Sequence, residues 1–206
     1  MNERIGIMAD SHGDAAAIEG AMRALWGGGC GVLVHLGDVC ESSRLESADR
    51  CVALLRDNNV AAVKGNNDHA VVANREGLTL GDVSAETVAW LKALPLKIRL
   101  DAAVFVHSLP FVREMGLSAM VREMDLEAAA LWFARPRRAP VLFRGHNHAP
   151  RLLRLENGRV AESSFAAGDR IGLDPARPVV VTCGAVTAGL ALIFDPASRV
   201  IDCVGF

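Results

Sequence analysis

An excess of one charge is the first thing this 206-residue sequence lacks: 22 Lys+Arg face 24 Asp+Glu, a net charge of -2. That balance excludes a strongly basic nucleic-acid binder and an acidic tail. The five cysteines (Cys30, Cys40, Cys51, Cys183, Cys203) are odd in number and form no Cys-x-x-Cys pair. A disulfide framework and a zinc knuckle are therefore not expected, and a reducing compartment fits. No basic start followed by a long apolar stretch marks a signal peptide. The longest uncharged apolar run, Val179 to Phe194, is short for a bilayer and is cut by Gly184 and Gly189. Neither internal repeats nor low-complexity tracts occur, so a soluble cytoplasmic protein is the expectation.

What the sequence does have is apolar content, 51% of residues, enough for a packed core and too much for disorder. Arg4 to Ala9, Val32 to Leu36 and Asn59 to Lys64 read as buried strands. Between them, Asp14 to Leu25 and Leu45 to Arg56 read as helices. Ser84 is placed to cap a helix that Pro95 stops. Leu96–Leu100, Ala103–His107 and Val141–Arg144 are further strands, with a helix from Met120 to Phe133. A hairpin turned at Asn157-Gly158 joins Arg151–Glu156 to Arg159–Ser163. Three more strands fill Pro178 to Phe206. The βαβα opening implies a parallel sheet, and the β-rich end a second one. No linker divides them, so one layered α/β domain over residues 1–206 is expected.

In open α/β sheets, ligands gather beyond the carboxyl ends of strands. Five apolar runs are followed by Asp10-Ser11-His12, Gly37-Asp38, Gly65-Asn66-Asn67-Asp68, His107 and Gly145-His146-Asn147-His148. These are oxygen and imidazole ligands suited to borderline divalent metals. Alone, Asp-x-His is weak, whereas Gly-His-x-His is expected only roughly 0.02 times by chance. Residues i and i+2 of an extended segment project to one side, so Asp10/His12 and His146/His148 can aim into one cleft. The preceding glycines let the chain turn off each strand. Buried acids and histidines would repel one another unless cations compensated them.

The order of these motifs resembles the calcineurin-like metallophosphoesterases, in particular their small bacterial and archaeal phosphodiesterase branch. The resemblance runs from Ile5 to Phe206 and includes Leu94-Pro95 and Cys183-Gly184-Ala185-Val186. It implies a four-layer α-β-β-α sandwich of two packed mixed sheets flanked by helices. It implies two divalent ions (Mn, Fe, Ni, Co or Zn). Asp10, His12 and His148 would hold the first, and Asn66, His107 and His146 the second, with Asp38 bridging. A hydroxide shared by the two ions would attack phosphorus in line.

Three positions depart from the family pattern. Asn67 stands where active phosphatases carry a proton-donating histidine, and an amide supplies no proton at neutral pH. Val39-Cys40-Glu41-Ser42 lacks the Asp-Arg-Gly of protein serine/threonine phosphatases. Ser108 follows His107 where the branch often has glycine. Catalytic candidates are therefore Asn67, His12 and His69, and Asn66 and Asn67 are candidates for contacting a phosphate oxygen. A metal-dependent phosphodiesterase acting on a small phosphodiester or nucleotide is the leading expectation. The alternatives are a dinucleoside polyphosphate hydrolase and a non-catalytic scaffold on the same fold. A homodimer is compatible with either. His35 reads as structural, Cys40 as a small buried residue, and Arg135, Arg137 and Arg138 as a solvated helix end.

Overall fold

The computed structural model describes residues 3–75, 83–100, 103–112, 116–134 and 141–206. The Arg135/Arg137/Arg138 cluster lies outside them. The first sheet has the order β3-β2-β1-β11-β12-β9. Its strands are β1 (Arg4–Met8), β2 (Cys30–His35), β3 (Ala61–Ala62), β9 (Arg170–Gly172), β11 (Leu190–Asp195) and β12 (Val200–Gly205). The second has the order β4-β5-β6-β10-β7-β8. It comprises β4 (Lys97–Leu100), β5 (Ala103–Val106), β6 (Val141–Arg144), β7 (Arg151–Glu156), β8 (Arg159–Ser164) and β10 (Val179–Thr182).

The parallel pairs are β1 with β2, β2 with β3, β5 with β6 and β6 with β10. The remaining pairs are antiparallel, so both sheets are mixed. Alternation along each strand sorts the apolar residues into layers. Ile5, Ile7, Val34, Phe105, Phe143, Val181 and Phe194 fill the space between the sheets. Met8 and Leu33 face out, against α1 (Ala15–Gly27) and α2 (Ala48–Asp57) through Ile18, Met22, Val52 and Leu55. Val104, Leu142 and Val180 face the other way, toward Met124 and Trp132. The result is the expected α-β-β-α sandwich. Residues such as Phe143 and Ile7, fully excluded from water, each contribute about 1.5–3 kcal/mol by burial.

Local chemistry sets the ends of these elements. Asp14 caps α1, its carboxylate accepting from the Ala17 amide at 2.9 Å. Asn157 and Gly158 both have positive φ, 50° and 76°, the geometry of the tight hairpin turn. Four elements differ from the sequence expectation, the first being β9, a strand that no predicted element covers. The third strand is only Ala61–Ala62, and the Gly65-Asn66-Asn67-Asp68 motif opens a helix, α3 (Asn66–Arg75), where none was expected. The expected helix from Met120 to Phe133 is broken into α5 (Leu117–Met120) and α6 (Leu126–Phe133). Asp125 starts α6 afresh by accepting from the Ala128 amide at 2.7 Å. Ser84 caps α4 (Ala85–Ala93) as expected, through the Thr87 amide. Among the described residues, no helix is long and apolar enough to cross a membrane.

Candidate metal centre

The carboxyl ends of β1, β2, β3, β5 and β6 bring all seven predicted ligands to one end of the sandwich. Two trios emerge there, Asp10 with His12 and His148, and Asp38 with His107 and His146; within each, one donor atom per residue lies within 4.8 Å of the others. Asn66 joins the second trio through its side-chain oxygen, 2.9 Å from His107 Nε2. His12 Nε2 lies 3.9 Å from Asp38 Oδ2 and His107 Nε2 3.5 Å from Asp38 Oδ1, so the Asp38 carboxylate reaches toward both trios.

The turns are locked by backbone bonds between loops. Asp10 N–H donates to Gly37 O at 3.1 Å, and His12 N–H to Asp38 O at 3.0 Å. Asp10, in turn, accepts the His146 amide on both carboxylate oxygens, at 3.1 and 3.0 Å. Four of the seven predicted ligands adopt left-handed backbone: Asp10 (φ 55°), His12 (46°), Asp38 (53°) and His146 (71°). Such conformations cost non-glycine residues about 1–3 kcal/mol each and persist where surrounding contacts impose them. Gly65 serves a different purpose from the expected turn: a Cβ there would lie 2.1 Å from both Asp38 N and Asp38 Oδ1, so only glycine admits the carboxylate.

Three histidines have one ring nitrogen tied to a protein acceptor, which turns the other inward as a lone pair. His107 Nδ1 donates to Leu36 O at 2.8 Å, His146 Nε2 to Val121 O at 3.2 Å, and His12 Nδ1 to Glu41 Oε2 at 3.2 Å. The inward atoms then face one another: His107 Nε2 lies 3.2 Å from His146 Nδ1, and His12 Nε2 3.0 Å from His148 Nε2. His107 Nε2 meets the Asn66 oxygen, an imidazole nitrogen and a carboxylate, all acceptors. Burial also keeps that ring neutral, drawing its pKa down to about 4. Burial, and then the nearby Asp38 charge, push the Asp10 carboxyl well above its usual range. Converging lone pairs and crowded buried carboxylates are the surroundings a divalent cation relieves, and this donor set suits one.

Asn67 differs from its sequence reading. Its backbone N–H donates to Asp38 Oδ1 and its amide to Asp38 Oδ2, each at 2.8 Å. Its own oxygen accepts from Ser42 Oγ at 2.8 Å. The side chain grips the carboxylate between the trios. His69, in the first turn of α3, is in neither trio. His35 is fully buried, with Nδ1 accepting from Gly37 N–H at 3.2 Å and Nε2 facing Ser11 Oγ at 3.0 Å. Cys40 is fully buried.

Sequence reasoning passed over three supports. Asp68 accepts from the amides of Val39, Cys40 and Gly65 at 2.9–3.1 Å, stitching the second and third loops together. Full burial, reinforced by Asp38, raises its pKa to about 7. The signal was available, because an acidic residue two positions into a helix suits the free amides before it. Glu41 orients His12. Glu123 reaches His146 Nε2 at 3.7 Å and the buried Arg144 at 3.8 Å. No spacing rule could place either glutamate, because each comes from a separate connection.

A family model of the calcineurin-like phosphoesterase superfamily domain matches residues 4–187. The chain belongs to that superfamily. Membership makes this calcineurin-like phosphoesterase a phosphoric ester hydrolase. Among solved structures, it is similar to a metallophosphoesterase from Sphaerobacter thermophilus, with a TM-score of 0.77 and 22% identity over 100% of this chain and 88% of that one. A putative diadenosine tetraphosphatase superposes with a TM-score of 0.65 and 18% identity, covering 100% of this chain and 94% of that one. An archaeal phosphodiesterase follows at 0.52 and 15%, covering 98% and 99%. At these identities the likeness establishes the shared fold. No curated protein matches the sequence.

Proposed function

We propose that this calcineurin-like phosphoesterase hydrolyses small phosphodiesters with the help of two divalent cations. Asp10, His12 and His148 would hold one, Asn66, His107 and His146 the other, and Asp38 would bridge them. The inward convergence of the two trios carries this reading. Bound there, such cations would acidify water and neutralise charge gathering on the phosphoryl oxygens. Manganese, iron, cobalt, nickel and zinc all suit mixed nitrogen and oxygen donors.

The chain's own residues prepare the reaction. The bonds from Leu36 O, Val121 O and Glu41 hold the imidazoles with their lone pairs inward, which avoids reorganisation when charge develops. Asn67 and Ser42 hold the Asp38 carboxylate. The amide hydrogens of Asn66 and the second amide hydrogen of Asn67 are neutral donors for a phosphate oxygen. With Nδ1 bonded to Glu41 and Nε2 turned inward, His12 would act on substrate only through the cation it helps to hold. Overall, water oxygen bonds to phosphorus as the P–O bond to the leaving group breaks, and the departing oxygen takes up a proton. Asn67 cannot donate that proton. Leaving groups that depart as stable anions are thus favoured, such as aryl oxides and nucleotide phosphates. His69, in the first turn of α3, is the candidate proton donor in place of Asn67.

We place this activity in one domain spanning the whole chain and in the cytoplasm, where five free, buried cysteines would stay reduced. The test is hydrolysis of bis(4-nitrophenyl) phosphate by metal-stripped protein reloaded with Mn²⁺, alongside metal analysis. Turnover with two ions per chain is expected. Lack of turnover with any divalent metal, or lack of bound metal after soaking, would overturn the proposal and favour a scaffold.

A further inference from the structure

A cleft of about 550 Å³ runs along the outer face of the second sheet, between residues 109–112 and the segment carrying α5 and α6. That volume is typical of sites for small organic ligands. Its apolar walls include Leu109, Phe111 and Leu131. It opens beside the metal centre. Glu123, which lines it, lies 3.7 Å from His146 Nε2, and neighbouring Val121 supplies the carbonyl that holds the same ring.

The break in the expected helix creates this arrangement. Residues 121–125 leave helical geometry and bring Val121 and Glu123 against His146, while α6 restarts at Asp125. Apolar side chains face water here: Leu131 in the cleft wall is 57% exposed, and Val121 and Leu126, which adjoin lining residues in sequence, are 44% and 53% exposed. Among the described residues, these are three of the five large hydrophobics so exposed. Apolar surface concentrated beside a reaction centre is a binding signal that scattered exposed residues are not.

Charge narrows the ligand. Of the lining residues, Glu123, Asp125 and Glu127 are acidic and only Arg122 is basic. A second phosphate would be repelled there. A cation would find only one uncommitted carboxylate, that of Glu127, too few to hold it. Asp125 is committed to the Ala128 amide, and Glu123 leans toward His146 and Arg144.

We propose that this cleft receives the non-leaving ester group of the substrate, and that this group is uncharged and apolar, most simply aromatic. This rests on the phosphodiesterase reading and deepens it: the substrate is a mixed diester with an apolar retained group, not a dinucleoside polyphosphate.

The experiment compares phenyl 4-nitrophenyl phosphate with methyl 4-nitrophenyl phosphate on the Mn²⁺-loaded enzyme. The leaving group is the same, and each rate is divided by its rate in alkaline water. The phenyl ester is expected to have about ten-fold or greater kcat/KM. Leu131→Asp, a change on the surface, should reduce that preference by about five-fold. A readout independent of metal and turnover accompanies it. Diphenyl phosphate added to metal-free protein should shift the amide resonances of Leu109, Phe111 and Leu131, and dimethyl phosphate should not. Turnover of both esters without preference, or unchanged resonances, overturns the cleft assignment while leaving the phosphodiesterase reading intact. Failure to turn over either ester sinks both. A stable dimer that Leu131→Asp dissociates, with no preference for the phenyl ester, overturns the proposal in favour of a contact between two copies.

Discussion

The two trios are built to different standards. Asp38, His107 and His146 are largely buried, with side chains 4%, 2% and 12% exposed. Each is held from behind, Asp38 by Asn67, His107 by Leu36 O and His146 by Val121 O. In the other trio, Asp10 is equally buried, but His12 is partly open and His148 is exposed. His12 is steadied by Glu41, itself partly exposed, and among the described residues His148 has no hydrogen bond to its second nitrogen. A rigid, dry half and a looser, wet half share one carboxylate. The lesson is that preorganisation within one candidate centre can be uneven: one trio is held from behind on every side chain and the other is not.

Removing the shared group is the most severe way to break the contrast. Asp38→Ala should abolish binding of both ions and cut diester hydrolysis by at least about a thousand-fold, read by metal analysis and kinetics on the same sample. Next come the paired truncations. His107→Ala should leave at most one ion per chain. His148→Ala should retain the buried-trio ion, so stepwise chelation of the wild type should release one ion well before the other. Equal retention in the two variants would erase the distinction between the halves.

The supports sharpen it further. Asn67→Ala frees the Asp38 carboxylate and should weaken metal affinity by about 10- to 100-fold, measured by competitive chelator titration. Glu41→Gln should cost less, about ten-fold or under, because both it and its partner His12 are partly exposed, 23% and 18%, and the amide can still accept from the ring. The smallest effect is on acid stability. Burial holds His35 neutral, with a pKa of about 3 against about 6.5 when unfolded. Between those values the unfolded chain binds the proton and the folded one does not, so stability falls as pH falls from 6.5 toward 3. In metal-free protein, His35→Gln should remove up to about 1.4 kcal/mol per pH unit of that slope, measured by urea unfolding at pH 6.5, 5.5 and 4.5. Asp68, present in both proteins, pulls the opposite way and cancels in the difference.

The parts readable from the sequence share a property: they are local or periodic. Buried strands announce themselves by continuous apolar runs, as Ala103–Val106 and Val141–Arg144 do. The ligand motifs follow those runs directly. Asn157-Gly158 names its own turn, and Ser84 and Asp14 their caps. What escaped depends on distant partners. The Asn66–Arg75 helix begins inside a motif that reads as a loop, and its start is secured by Asp68 reaching back to Gly65 and across to Val39. The interruption between α5 and α6 hides within apolar spacing that suits one continuous helix. The grip of Asn67 on Asp38 joins residues 29 apart in sequence. Asn67 was legible as a departure from the family pattern, but what it holds was visible only in three dimensions.

The left-handed backbone at His12 and His146 sets folding against activity. Glycine at either position would relieve the conformational cost, on the order of 1 kcal/mol, while deleting a ring that the proposed centre uses. A lineage released from the need to hydrolyse esters would therefore drift toward glycine there and gain a sturdier fold. Imidazoles at such unfavourable angles are what a main chain bent to serve chemistry rather than stability would carry.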